Sequence, residues 1–513
     1  MVPVDAVVVG AGHNGLVAAT LLARAGLTVR VFESSAVVGG ACRTEYPFAR
    51  APRLGHSTGA YLLGLMPPEL IRELGVSIPL LRRDPHYFLP TTGSRHLLVG
   101  ADRGATDAQL ARFFTKRDVE ADHALHDELA MLRRDLAPSW LAPPRSIEET
   151  AERYVRPALR HVFVALCRGP VEDYLQRFGF ESELLETMYA VTDGFTGLFG
   201  CWNTPGSGMN FLVHNMCRLP GSDGTWMVVG GGMGTVTRAL AHAARQAGAE
   251  IVLETPVTRI ETQGGMVTGV VTEGDQEHRA RTVLVNADPF RMLTLLADRC
   301  PSELRDRIET YRRPGSSIKV NLCLADLPVF SCLPEPRGQH RSTIHLLPQQ
   351  ETAKALGHAF SECQAGRLPE QPAIEWYIHT TLDPSLQDEK GRHSSALFCQ
   401  WVPYRLADSS WEQEEGDFVR RLLDICDRFA PGASALVEDV FVLTPPKIEA
   451  HFGITAGHIH HVDNSFGFAD RLPYRLPIAG LYACGAGCHP AGSVIGAAGH
   501  NAAAAVVEDL RSG

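Results

Sequence analysis

The chain has 513 residues, of which 45% are hydrophobic and 21% charged. That length calls for several domains, and that balance is ordinary for a globular protein that buries a large core without a disulfide scaffold. The net charge of −10 argues against nucleic-acid binding and against attraction to an anionic membrane surface. The twelve cysteines include no C-x-x-C pair and suit buried thiols in a reducing compartment. Cys484, Cys488 and His489 lie close together, but no second ligand pair has matching spacing, so no metal is expected. Lysine occurs only at 116, 319, 354, 390 and 447, which reads as a composition bias. No apolar run reaches the roughly 20 residues of a membrane-spanning helix. No leader precedes the first strand, so a cytoplasmic location is expected, with peripheral membrane contact left open.

Val4 to Val9 reads as a short apolar strand, followed by Gly10-Ala11-Gly12-His13-Asn14-Gly15. A helix from Leu16 to Ala25 comes next, with Gly26 as its C-terminal cap, and then a strand from Thr28 to Phe32 with Glu33 at its end. This is G-x-G-x-x-G in its strand–turn–helix context, with an acid 18 residues after the last glycine. Gly10 permits the turn, Gly12 lets backbone approach a pyrophosphate, and Gly15 lets the helix pack on the sheet. The helix N-terminus offers unpaired N–H groups to phosphate oxygens, and Glu33 is placed for the ribose hydroxyls. Gly39-Gly40 give the chain a second pass near the pyrophosphate, and Arg43 is placed to neutralise it. That second pass favours FAD over NAD.

From 56 to 221 the pattern is mostly helical, with helix-spaced apolar residues over Pro68–Leu74, Asp107–Leu136, Ser146–Cys167 and Val171–Thr192. Asp107 and Ser146 read as N-caps. A glycine cluster at 230–234 opens a helix over Thr235–Ala247. A strand over Ala249–Leu253 and a meander through Met266–Thr272 and Thr282–Val285 follow, turning at Gly274-Asp275. A second, nicotinamide-binding fingerprint ending at Glu254 is one reading. The meander argues instead for one nucleotide domain resumed after an insertion, with the Val257 backbone near the adenine.

Between 290 and 470, strands are expected over Ser317–Leu324, Ser342–Leu346, Ile374–His379 and Ala396–Trp401, and a helix over Trp411–Phe429. A sheet roofed by helices makes an apolar chamber over the flavin, which suits a lipophilic substrate. His458, His460 and His461 cluster ahead of the last strand. On a strand, 458 and 460 share a face and suit a metal or a proton relay, although a packed cluster is the plainer reading. The C-terminus offers a strand over Leu481–Cys484, a glycine-rich loop and a small-residue helix over Gly492–Leu510, whose positive end faces a reduced flavin.

These motifs resemble the phytoene-desaturase-like flavoproteins. Within them the chain is most similar to the branch called pyridine nucleotide-disulfide oxidoreductase domain-containing proteins, also described as carotenoid or retinoid oxidoreductases. The carriers are VVVGAGHNGLVAA (7–19), VGGA (38–41), TPGSG (204–208), VGGGMG (229–234), LDPSL (382–386), VPYRL (402–406) and the C-terminal glycine run. The resemblance implies a two-domain protein with noncovalent FAD. The branch name suggests a redox disulfide, for which this sequence has no pair. Three positions depart from the pattern. Ala486 stands where many relatives have Asp, Cys488 where a small or hydroxyl residue is usual, and Ala491 where Gly is frequent.

The expected fold class is therefore α/β. A Rossmann-type FAD/NAD(P)-binding domain (1–55, 222–289, 471–513) carries an inserted α+β substrate domain (56–221, mainly helical; 290–470, sheet plus helices). The expected cofactor set is Gly10, Ala11, Gly12, His13, Asn14, Gly15, Glu33, Gly39, Gly40, Ala41, Arg43, Val257, Gly485, Ala486, Val494 and Gly496. His489 is the one catalytic candidate. The expected activity is an FAD-dependent dehydrogenase, desaturase or oxidase acting on a lipophilic small molecule, at a C–C bond first. An unidentified electron acceptor is implied, and the oligomeric state is left open. Amine-oxidase-like C–N oxidation, a flavin-holding interaction protein with little turnover, and a covalent flavin link through Cys484 or Cys488 are the alternatives.

Overall fold

A computed structural model describes residues 3–512. Its first layer is a parallel sheet in the order Glu250–Val252, Val29–Phe32, Val4–Val9, Gln276–Val285, Leu481–Ala483. Val7 and Val8 are fully buried at its centre, as a strand covered on both faces requires. Glu250–Val252 extends this same sheet beside Val29–Phe32, so the helix Gly234–Gln246 and its strand complete one nucleotide domain. The strand expected over Thr282–Val285 is longer. Its polar first half, Gln276–Arg279, pairs antiparallel with Met266–Thr272, which pairs in turn with Val257–Gln263.

The second layer is a seven-stranded sheet. Its order is Val437–Leu443, Ser317–Leu324, His393–Gln400, Ala373–Ile378, Thr343–Leu346, Tyr87–Pro90, His96–Val99. The last two strands come from the segment before the helices and join through a parallel pairing of Tyr87 with Thr343. On one face Ile318, Val320, Ile374, Trp376 and Leu397 pack under the helix Trp411–Phe429. The opposite face carries Lys319, Phe398, Glu375 and His345, which lie directly opposite one another across four strands. Directly paired residues share a face, so these four form one row.

The helical part is more broken than its periodicity suggests. Asp107 is not a cap. It lies inside the helix Arg103–Phe113, which Asp102 caps by accepting from Ala105 N–H at 3.0 Å. A separate helix, Lys116–Leu136, starts at a capping box of Thr115 and Asp118. Apolar spacing carried across the break and hid it. Ser146 does cap its helix, in a box with Glu149, but that helix stops at Tyr154 ahead of Pro157. The C-terminal helix starts at Ala497, five residues later than expected. Gly492 is held out of it because its N–H donates to Asn464 Oδ1 at 2.9 Å, and Gly496 has φ +81°. No helix among the described residues is long and apolar enough to cross a membrane.

Candidate active site

The end of the first strand turns at Gly10 (φ +98°), whose N–H donates to Phe32 O at 2.8 Å. Asn286 Nδ2 donates to Gly10 O at 3.1 Å and fills the space behind the loop, so a Cβ on Gly12 would lie 2.9 Å from it. A Cβ on Gly15 would collide with Gly10 O, which is why this helix start admits only glycine there. Glu33 is 7% exposed and fixed at both oxygens. Oε2 accepts from Ala11 N–H at 2.8 Å and Oε1 from Ser35 N–H at 2.9 Å. Gly39 donates to Ala11 O at 3.0 Å, so the Gly39-Gly40 pass lies against the loop at Gly12. Arg43 is buried, 3.2 Å from Glu45 Oε1, with its guanidinium over the Phe452 ring.

These residues open into a single cavity of about 1400 Å³. Pockets for drug-sized ligands run to roughly 300–1,000 Å³, so this one has room for a dinucleotide and a second molecule. Of the expected cofactor set, Gly10, Gly12, His13, Asn14, Glu33, Gly39, Gly40, Ala41, Arg43, Val257, Ala486 and Val494 line its wall. Ala11, Gly15, Gly485 and Gly496 stand behind it. Ala11 positions Glu33, Gly15 seats the helix, and Gly485 and Gly496 allow close packing on Ala287 and Leu70. The cluster at 230–234 also supports from behind. Gly234 N–H donates to Thr44 Oγ1 at 3.0 Å, and Thr237 Oγ1 donates to Cys42 O at 2.9 Å. Glu254 lies outside the wall, with φ +51° and its N–H on Ser35 O.

The cradle suits a dinucleotide. His13 Nε2 and Asn14 Oδ1 are buried in its wall with no partner in the protein. Burial, opposed by a backbone bond at Ser493, brings the His13 pKa to about 4, so the ring is neutral. Bare glycine backbone, a fixed carboxylate at the second strand's end and unpaired neutral polar atoms match a ribose and pyrophosphate.

His489 is placed elsewhere. It is 2% exposed, outside the cavity wall, and its Nε2 lies 3.0 Å from Ser139 O. A carbonyl only accepts, so this nitrogen carries the proton, and burial lowers the ring's pKa to about 4. Its contacts tie the flavin loop to the helical roof. Cys484 and Cys488 are buried and outside the wall, and burial pushes both thiols up, Cys488 to about 12. Residues 458–461 form turns rather than a strand. His460 and His461 face the cavity, while His458 is pinned 3.2 Å from Asp463 Oδ2. Among the described residues, the side chains spaced to share an ion are Asp107, Asp122 and His123, and none of these histidines is among them.

The charged row was not anticipated. Lys319 is 7% exposed, in the cavity wall, with Nζ 4.0 Å from the Tyr61 ring centre and 4.5 Å from that of Phe398. Burial, against the pull of Glu375, lowers its pKa to about 7. Glu375 accepts from Thr196 Oγ1 at 3.0 Å and from the Tyr377 hydroxyl, with His345 Nε2 at 3.6 Å. Burial raises the pKa of Asp193 to about 7, and it accepts from Asn215 Nδ2 at 3.1 Å. The expected apolar chamber therefore has one polar wall. The signal lay in strict alternation: Ser317, Lys319 and Asn321 against Ile318, Val320 and Leu322, in a strand that the fold buries throughout.

Comparison with known proteins agrees with this geometry. The family described as flavin containing amine oxidoreductase matches residues 15–325. Pyridine nucleotide-disulfide oxidoreductase domain-containing protein 2 of Mus musculus is 34% identical, over 99% of this chain and 94% of that protein. Hydroxyneurosporene desaturase of Cereibacter sphaeroides is 26% identical, over 99% of this chain and 98% of that one. The crystal structure of an oxidoreductase from Methanosarcina mazei superposes with a TM-score of 0.62 at 17% identity, covering 98% of this chain and all of that one, a likeness of fold. The cradle, the fold and these relatives agree: the chain belongs to the flavin-containing amine oxidoreductase family, on its phytoene-desaturase-like side, and its cofactor is FAD.

Proposed function

We propose that this protein is a dehydrogenase that removes a hydride and a proton from adjacent carbons of a lipophilic small molecule, leaving a carbon–carbon double bond. The observation that carries this is the continuity of the cavity: one space is walled both by the glycine cradle and by Lys319, Tyr61, Phe398 and Glu375. FAD, when bound, supplies the acceptor for the electron pair. Gly10, Gly12, Gly39 and Gly40 would hold its pyrophosphate, and Glu33 its ribose, noncovalently. Tyr61, Phe398, Phe211 and Met188 give the substrate an apolar surface and exclude water. Lys319, whose pKa burial lowers to about 7, can be neutral near physiological pH and is suited to take up the released proton. The full-length likeness to a desaturase favours C–C chemistry. The family's description keeps C–N oxidation as the second reading. Anaerobic mixing of the yellow holoprotein with unsaturated isoprenoids, and separately with lipophilic amines, tests both. Bleaching of the flavin band by the isoprenoids supports the first reading. Bleaching by amines alone replaces it with the second, and a flavin untouched by either set sinks both.

A further inference from the structure

Arg83 lies between the strands Leu80–Leu81 and Tyr87–Pro90 and is 4% exposed, in the wall of the same cavity. Its guanidinium is held by two neutral acceptors. Nε donates to Trp226 O at 2.9 Å and Nη1 to Thr343 Oγ1 at 2.7 Å. Among the described residues Nη2 has no hydrogen-bond partner, and no carboxylate pairs with the group. Burial lowers its pKa only to about 10, so it is charged at neutral pH. The charged or titratable groups that act on it are Tyr377, Cys217 and Glu375, and it acts in turn on His86 and His379. Of these only Glu375 is a carboxylate, and each of its oxygens already accepts a hydrogen bond, Oε1 from Thr196 and Oε2 from Tyr377.

A buried cation without a counter-ion is costly, and a guanidinium that spends two of its five N–H groups on neutral acceptors keeps one on Nη1 and both on Nη2, a planar fork. Thr343 also lies two residues before His345, at the edge of the charged row, so the fork borders the chamber that holds Lys319. We propose that Arg83 seats a carboxylate borne by the substrate, so that the substrate is a lipophilic acid whose apolar body lies along the Tyr61, Phe398 and Met188 side of the chamber. This rests on the chamber being the substrate site. A diphosphate, with its several charges, matches one free fork poorly.

The test uses the FAD-loaded full chain and three acid–ester pairs: geranate, farnesoate and linoleate, each with its methyl ester. Binding is measured by ultrafiltration without oxygen. The expected result is at least a tenfold preference for the acid in one or more pairs. The preference is lost in Arg83→Gln and partly kept in Arg83→Lys, with flavin content unchanged in both. The wild-type comparison stands even if a variant fails to fold. Equal binding of acid and ester, no binding of any acid, a preference that survives in Arg83→Gln, or tighter binding of geranyl phosphate than of geranate overturns the proposal. The two readings fail separately. Acids that bind through Arg83 without bleaching the flavin keep the seat and remove the dehydrogenase. Bleaching by neutral isoprenoids, indifferent to Arg83→Gln, does the reverse.

Discussion

At the scale of single residues, the informative ones are those that the fold keeps at a cost. Lys319 is held with its pKa lowered from 10.5 to about 7 by burial. At 1.36 kcal/mol per pKa unit, that is about 5 kcal/mol of destabilisation when the medium protonates both folded and unfolded chains. The folded pKa lies below the unfolded one. Between about pH 7 and 10.5 the unfolded chain therefore binds the proton that the folded chain has released, and stability rises with pH across that window. Lys319→Met should raise the melting temperature at pH 6 by several degrees and flatten this rise. It should also slow anaerobic flavin reduction by substrate tenfold or more. In the wild type the reduction rate should climb as pH passes through about 7, where the amine becomes neutral. Asp193 titrates in the same range, so Asp193→Asn is the control: it should leave that rise in place. A Lys319→Met protein with the wild-type pH profile would remove Lys319 from proton uptake.

At the scale of elements, the cradle depends on two helices that meet at their starts. Gly499, in the first turn of Ala497–Ser512, has no room for a Cβ because Asn14 O occupies the place where it would sit. Gly499→Ala should push that helix off His13–Arg24 and disturb the first turn from which His13 and Asn14 face the cavity. The expected outcome is purified protein with less than half the wild-type flavin content and a lower melting temperature. Unchanged flavin content would mean that the cradle tolerates the shift. The same elements show what a sequence reveals. The Gly10–Gly15 turn and Glu33 were legible because covalent geometry and phosphate chemistry demand those residue types locally. The strands Ser317–Leu324 and Val4–Val9 were legible because their burial is written into unbroken or alternating apolar runs. The strands Tyr87–Pro90 and His96–Val99 were not, because they are short and the strand that joins the first of them to the sheet, Thr343–Leu346, lies some 250 residues away. The alternation around Lys319 marked its face but not its role, and nothing local marked Arg83, for a related reason. Each matters through what faces it, and those neighbours arrive from distant parts of the chain.

At the scale of the whole molecule, the nucleotide domain is assembled from pieces that the chain leaves and revisits. Val8, Leu240, Val283 and Ala498 belong to one buried cluster, although hundreds of residues separate them. Nothing local closes that cluster, and FAD would touch the Gly10 loop, the Gly39 pass and the Ala486–Val494 loop together. Binding that favours only the folded state stabilises by RT ln(1 + [L]/Kd), about 4 kcal/mol when free FAD is a thousand times Kd. With an unfolding entropy of roughly 2.1 cal/mol/K per residue over this length, that corresponds to a shift of about 4 °C in melting temperature. Stripping the flavin should thus lower the melting point, and added FAD should restore it in proportion to the logarithm of its concentration. Glu33→Ala removes the carboxylate that orders Ala11 and Ser35, so its curve should run parallel but displaced to higher FAD, by tenfold or more. FAD that left the melting point unmoved in the wild type would mean that the three segments close without it, and the cradle would then be a consequence of the fold rather than a part of its stability.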